Sequence, residues 1–273
     1  MNVAAVPEPN SIFMRKDSDV ARGIYLMEEV YFHPMNSTNP REYLQWLVNY
    51  KKEDEKRGSG EAELTQGLSV RSRAIDLVGA FYAIGITGHE QFKAVTLWDC
   101  HGGWDGGWRQ QLEIYEGVKP QLFLSAIDDL RHKAFSRPMG AVNGTPDLQQ
   151  LRADEYTSPF FLHEVATVRP GAALDYLAAV REERAPILAD HGHKLVGLYE
   201  VLLSDSEVVT FWGVDLDSHL ETQRAFDGAL GLDAEAKADQ RLVDWRKTAR
   251  QYLEGPWRET LLAPFPGSVL APR

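Results

Sequence analysis

Ile24-Tyr25-Leu26-Met27-Glu28-Glu29-Val30-Tyr31-Phe32-His33-Pro34 can be laid without a gap on Phe160-Phe161-Leu162-His163-Glu164-Val165-Ala166-Thr167-Val168-Arg169-Pro170, with leucine, glutamate and proline coinciding. Both stretches have the apolar, aromatic and β-branched composition of strands closed by a proline. Further blocks follow in the same order. Gly79-Ala80-Phe81 sits like Gly197-Leu198-Tyr199, Val95-Thr96-Leu97-Trp98 like Val209-Thr210-Phe211-Trp212, and Arg131 to Gly140 like Arg258 to Gly267. Shared order over similar spans points to two copies of one unit.

In the second copy, residues 160–169 read as a strand and 172–190 as a helix bent by Pro186 and capped by His191-Gly192. Two strands, 194–203 and 208–214, are joined by the turn Ser204-Asp205-Ser206. A helix begins near Asp217, capped by Asp217 and Ser218, a longer one spans 233–254, and Thr260-Leu261-Leu262 is a short strand. The first copy repeats this pattern, its helix running from Pro40 to about Lys56 and the charge run Lys51 to Arg57 reading as a solvated face. Strand-helix-strand-strand-helix-strand is the ferredoxin-like pattern. The expected fold class is α+β: two tandem ferredoxin-like units whose antiparallel sheets pack face to face as an α/β barrel able to hold one small ligand. The units span 24–140 and 159–273, with an N-terminal extension at 1–23 and a Gly, Pro and Asp-rich linker at 141–158.

The 273 residues carry a formal net charge of -11, which argues against nucleic acid as a partner. One cysteine, Cys100, excludes an intrachain disulfide framework and Cys-rich metal sites. No apolar segment is long enough to cross a bilayer, and Met1 to Gly23 lacks a signal peptide's apolar stretch. A cytoplasmic protein with no membrane partner is expected, either a monomeric pseudo-dimer or a homodimer of such chains.

From His163-Glu164 through Arg169-Pro170-Gly171, Tyr176-Leu177, His191-Gly192-His193-Lys194-Leu195-Val196-Gly197 and Glu207-Val208-Val209-Thr210-Phe211-Trp212 to Arg224, the sequence resembles a NIPSNAP-type domain of the dimeric α/β-barrel superfamily. The resemblance covers the second copy well and the first only faintly. It implies the barrel fold derived above. Superfamily members include monooxygenases, isomerases, dehydratases and haem proteins, so it implies no one chemistry. Where this chain has His163, the family pattern usually has arginine, a change that removes a permanent cation from the expected cavity.

Strand alternation selects the residues facing that cavity. In the first strand this leaves Tyr25, Met27, Glu29, Tyr31 and, at its end, His33 for the interior, and the same parity in the second copy selects Phe161, His163, Val165 and Thr167. Small Gly213 suits close helix packing, which would send Thr210, Trp212 and Val214 inward, matched by Thr96, Trp98 and Cys100. The expected pocket is aromatic with few polar groups, suited to a small hydrophobic ligand held by Tyr25, Tyr31, Trp98, Phe161 and Trp212. Glu28 and Glu164 recur on the opposite parity without an evident role.

His163 is the leading candidate for acid/base catalysis or, alternatively, an axial haem ligand; equally it can be a histidine satisfied by a neighbouring group. Glu29, its carboxyl raised by desolvation, is a proton donor or base to work with it, or else pairs with an arginine such as Arg71 or Arg73. The loop Asp99-Cys100-His101-Gly102-Gly103-Trp104-Asp105-Gly106-Gly107-Trp108 reads either as a lid bringing Asp99, His101 and Trp104 to the ligand or as a packed Gly-rich turn. Cys100 reads as a buried hydrophobe. His191 and His193 lack partners at metal-ligand spacing, so no metal site is expected. The functional expectation is a small-molecule enzyme using acid/base chemistry (an isomerase, a dehydratase or lyase, or a cofactor-free oxygenase). The alternatives are a haem-binding barrel and a non-catalytic binding or assembly module.

Overall fold

A computed structural model describes residues 22–32, 39–57, 75–84, 93–100, 102–106, 109 and 131–272. Its strands are β1 (Ile24–Phe32), β2 (Ile75–Ala83), β3 (Lys93–Cys100), β4 (Arg131–Ala141), β5 (Phe160–Val168), β6 (Lys194–Val201), β7 (Glu207–Val214) and β8 (Leu253–Pro264). They form a closed barrel in the order β1-β3-β2-β8-β5-β7-β6-β4. Each half of the chain supplies one four-stranded run, β4-β1-β3-β2 or β8-β5-β7-β6, which is the ferredoxin-like order. The two sheets face each other as expected and also hydrogen-bond along both edges, Phe81–Ala83 against Leu262–Pro264 and Met139–Ala141 against Tyr199–Val201. No strand edge of the barrel is left open.

Helices cover the outer face. They are α1 (Asn39–Arg57), α2 (Leu148–Ala153), α3 (Ala173–Ala179), α4 (Ala185–Asp190), α5 (Leu216–Ala229) and α6 (Gln240–Arg250). The expected bend near Pro186 is a π-helical turn, Val180–Arg184, between α3 and α4. A proline clashes with the carbonyl four residues earlier, and a widened turn relieves that clash. Gly192 follows at φ +79°, as the expected cap requires. Three boundaries differ from the sequence reading. Asp215, not Asp217, caps α5, accepting the Ser218 amide at 2.9 Å. Asp239 caps α6, so the helix expected over 233–254 starts at Gln240. The short strand expected at Thr260 begins at Leu253, because pairing with β5 extends it. Among the described residues no helix is long and apolar enough to cross a membrane.

The interval expected to be a linker carries α2. Its Leu148 and Leu151 pack with Tyr25, Met27, Met139, Phe161, Tyr199 and Phe211 in the apolar interior. This helix plugs one end of the barrel, and among the described residues the interior cavity lies toward the other.

The recurrent glutamates have a structural account without a bulge. Glu28 and Glu164 point away from the interior, each opposite a threonine of the neighbouring strand, Thr96 or Thr210. Trp98 donates its indole N–H to Thr96 at 2.9 Å and to Glu28 at 3.3 Å, and Trp212 donates to Thr210 at 2.8 Å. Glu164 has no exposed surface; it accepts a hydrogen bond from the Tyr176 hydroxyl at 2.9 Å and an ion pair from Arg184. Arg184, the last residue of the π-helical turn, also pairs with Glu259 and lies over the rings of Trp212, Trp245 and Trp257.

A buried carboxylate stripped of its cation is costly, by about 3–5 kcal/mol for one partner removed. Arg184→Met is therefore expected to lower unfolding free energy by that order. Arg184→Met with Glu164→Gln should lose less than the sum of the two single changes, measured as a double-mutant cycle in urea.

Candidate site at the open mouth of the barrel

Alternation on β1 and β5 puts Tyr25, Met27, Glu29, Tyr31, Phe161, His163, Val165 and Thr167 inside, as the pattern of those strands requires. On β3 and β7 the expected parity is reversed. Val95, Leu97, Val209 and Phe211 face the interior, whereas Trp98 and Cys100 lie under the first half's helix layer and Trp212 under the second's. Gly213, used to orient β7, is small for a different reason: a Cβ there would meet the Tyr156 hydroxyl at 1.8 Å. Trp98 and Trp212 thus hold helices rather than ligand.

The interior has two parts. Next to the α2 plug, Tyr25, Phe81, Phe161, Tyr199 and Phe211 fill the barrel, with Phe81 and Phe161 centroids 5.0 Å apart and Tyr25 and Tyr199 5.1 Å apart. Tyr25 and Phe161 are core residues there. Toward the other end a cavity of about 400 Å³ opens, walled by Glu29 and Tyr31 of β1, Lys93 of β3, four inward or rim residues of β4, His163, Val165 and Thr167 of β5, Glu207 of β7, and Arg258 and Thr260 of β8. The expected aromatic, mostly apolar pocket is in fact lined by ionic groups over an aromatic floor.

Glu29 organises this wall. It is 4% exposed, accepts a hydrogen bond from the Lys93 ammonium at 2.7 Å and pairs with the Arg137 guanidinium. Arg137 grips Glu207 with two further bonds, at 2.9 and 3.1 Å. Burial pushes the Glu29 carboxyl up, as expected from sequence, but the surrounding positive charge of His163 when protonated, Lys93 and Arg137 outweighs it and holds the group down at about 2. Glu29 is a fixed carboxylate rather than a proton donor. Its partners are Lys93 and Arg137; Arg71 and Arg73 lie outside the described residues.

His163 sits between this ionic wall and the floor. It is 1% exposed, its ring lies 4.8 Å from that of Phe211, and neither ring nitrogen has a hydrogen-bond partner. Desolvation pushes the imidazole down to about 3, against the pull of Glu29 and helped by Lys93 and Arg137. The ring is neutral, with one donor and one acceptor position unused. The structure therefore gives no satisfied-histidine explanation for this side chain.

The remaining sequence candidates do not converge here. Asp99 is at the far end of β3, in register with Tyr25, whereas Glu29 is in register with Val95. Four strand residues separate those positions, about 13 Å. Trp104 lies outside the cavity wall and is 47% exposed. His33 and His101 fall outside the described residues. Cys100 is buried, and burial pushes its thiol up to about 12, in keeping with a hydrophobic role. His193, read as a turn residue, is buried 5.9 Å from the His219 ring. Among the described residues no group of three His, Cys, Asp or Glu is placed to hold a metal ion.

Sequence reasoning missed Lys93, Arg137, Glu207, Arg258 and Thr260. The signal for Arg137 was present in the period-two series Lys133, Phe135, Arg137, Met139 of β4. Lys93 was hidden by the reversed parity of β3, and Arg258 by the late start assigned to β8.

A porphyrin needs a flat apolar slot beside its axial imidazole. The wall beside His163 is instead the paired ionic chain Lys93, Glu29, Arg137 and Glu207, which presents polar groups where a macrocycle needs an apolar face. These residues do not fit haem.

No family model matches the sequence, and no curated protein matches it. Solved structures similar to the chain include an anthrone oxidase-like protein, with a TM-score of 0.58 over 92% of this chain and 96% of that one at 10% identity. A candidate monooxygenase from Fusobacterium nucleatum gives a TM-score of 0.51 over 89% of this chain and 93% of that one at 12% identity. A NIPSNAP family protein from Agrobacterium tumefaciens is 25% identical and covers 40% of this chain and 95% of its own, with a TM-score of 0.31. The chain has the dimeric α/β-barrel fold, with both halves of the barrel supplied by one polypeptide.

Proposed function

We propose that this protein is an enzyme acting on a small molecule at the open mouth of the barrel, by proton transfer through His163. The observation that carries this reading is a buried imidazole with two unpartnered nitrogens on the wall of a cavity. Buried polar groups in folded proteins are nearly always paired, so an exception on a cavity wall supports a functional role for that group. Neutral His163 can accept a proton from a bound molecule. The imidazolium so formed would be stabilised by the fixed negative charge of Glu29 across the cavity, which Lys93 and Arg137 keep ionised. Glu29 is then a positioning and electrostatic residue, and Phe211 and Val165 supply the dry surface that makes its charge felt. Such proton abstraction serves an isomerisation, an elimination or the activation of a substrate toward oxygen. The likeness to monooxygenase-related structures supports the fold that hosts such a site.

The test uses untargeted mass spectrometry of a cell metabolite extract incubated with the purified protein. A substrate and product pair converted by the wild type should fall by about 10²–10⁴-fold in rate with His163→Phe, the usual contribution of a general base. Conversion that survives His163→Phe, or an extract left unchanged by the wild type, would overturn the reading.

The neutral state of His163 has its own signature. Its pKa is about 3 in the folded chain against 6.5 unfolded, so below pH 6.5 the unfolded chain binds the proton first and stability is lost as pH falls. The slope from this residue is at most about 1.4 kcal/mol per pH unit. Glu29, held near 2 against 4.5, adds a loss that begins only below pH 4.5. Urea unfolding between pH 6.5 and 4.5 should therefore be less pH-dependent in His163→Phe than in wild type.

A further inference from the structure

A second cleft lies on the outer face of the barrel, under the helices of the second half. Leu162 of β5 faces it while its neighbour His163 faces the barrel interior, so the sheet separates the two spaces. The cleft has a volume of about 40 Å³ and runs between the end of the π-helical turn, α4, α5, α6 and β8. Its charged groups are engaged with the protein. Arg184 pairs with Glu164 and Glu259, and the Arg246 guanidinium lies 4.1 Å from the Phe226 ring centroid and 5.6 Å from that of Trp257. Thr222 donates to the Ser218 carbonyl at 2.7 Å, and the His193 Nδ1–H to the His191 carbonyl at 3.2 Å. Two indole N–H groups are left over. Trp245 and Trp257 both line the cleft, with ring centroids 6.0 and 5.5 Å from the Arg184 guanidinium, and among the described residues neither Nε1–H has a hydrogen-bond partner. Trp245 is only 5% exposed. An indole N–H can donate but not accept, and a buried donor without an acceptor is costly.

We infer that this cleft is a second binding site, taking a small uncharged molecule with a carbonyl-type oxygen on a short apolar body. The oxygen accepts from Trp245 and Trp257, and the body rests on Leu188, Phe226 and Leu242. A carbonyl oxygen has two lone pairs, so one atom can serve both indoles. Size narrows the guest further. One water occupies about 10–15 Å³ of cavity volume and a benzene-sized guest needs about 150 Å³, so the cleft suits a group of a few heavy atoms. Water answers these donors less well, because an ordered water needs about two to four polar partners and the leucines and Phe226 supply none. A carboxylate would have to be desolvated close to Glu259, whose charge repels it. The inference does not depend on the reaction at His163.

Acetone, isobutene and acetate test it. Isobutene keeps the acetone skeleton with a methylene in place of the oxygen, and acetate keeps the acceptor but adds charge. The full chain is isotopically labelled in its indole rings, and the Trp245 and Trp257 Nε1–H resonances are assigned through backbone-to-ring correlations. Saturable downfield shifts of both resonances with acetone are expected, with isobutene and acetate each binding about tenfold more weakly. Trp257→Phe keeps a ring and removes one donor, so it should weaken the acetone effect on Trp245 by about the same factor. Resonances unmoved by acetone would leave a hydrated cleft and overturn the inference. Acetate binding as tightly as acetone would make the cleft an anion site, and isobutene doing so would make the indole N–H groups bystanders; either result overturns it. The comparison of the three probes is made on the wild type, so it decides the matter whether or not Trp257→Phe folds.

Discussion

Closure of the sheet on itself is the constraint from which the rest follows. The seams are short, Phe81–Ala83 with β8 and Met139–Ala141 with β6, yet they turn two ferredoxin-like sheets into one barrel with a shared interior. A closed interior must be filled or wet at each end. Here α2 fills one end with Leu148 and Leu151 against Tyr25 and Tyr199, and the other end is left to ionisable groups that pair with one another. The cavity and the plug are two consequences of one topology.

The pleat then gives adjacent residues opposite fates. Glu28 and Glu29 are neighbours on β1, but one meets Thr96 and Trp98 beneath the helices and the other meets Lys93 and Arg137 in the barrel. Glu164 and His163 are divided in the same way, the glutamate going to Tyr176 and Arg184 and the histidine to the cavity. Outside, both carboxylate oxygens of Glu164 have a donor, which gives that residue a structural role. Inside, His163 has none, which leaves chemistry for a ligand to complete.

Electrostatics sets the working state of both inner groups. An isolated buried glutamate would be expected to hold its proton, and burial does act on Glu29 in that direction, but the positive charges of His163 when protonated, Lys93 and Arg137 reverse the outcome. His163 feels the same cations and the same burial, and both keep it neutral. The site thus combines a carboxylate held ionised with an imidazole able to accept a proton.

How much of this was legible in the sequence depends on whether a strand has two unlike faces. On β1 and β5 the alternation of polar and apolar residues gave the inward set, and with it His163, Glu29 and Tyr31. On β7 every residue from Val208 to Val214 is buried, so no alternation exists to read, and Gly213 was a misleading marker because its missing side chain makes room for Tyr156. By itself the sequence determined the order of the described strands and helices and therefore the α/β barrel, since these rest on local patterning. Only the tertiary structure decided the charge of Glu29, the orphaned state of His163 and the ionic mouth. Those properties come from Lys93 and Arg137, 64 and 108 residues from Glu29 in the chain, and distance in sequence carries no information about which charges a closed barrel brings together.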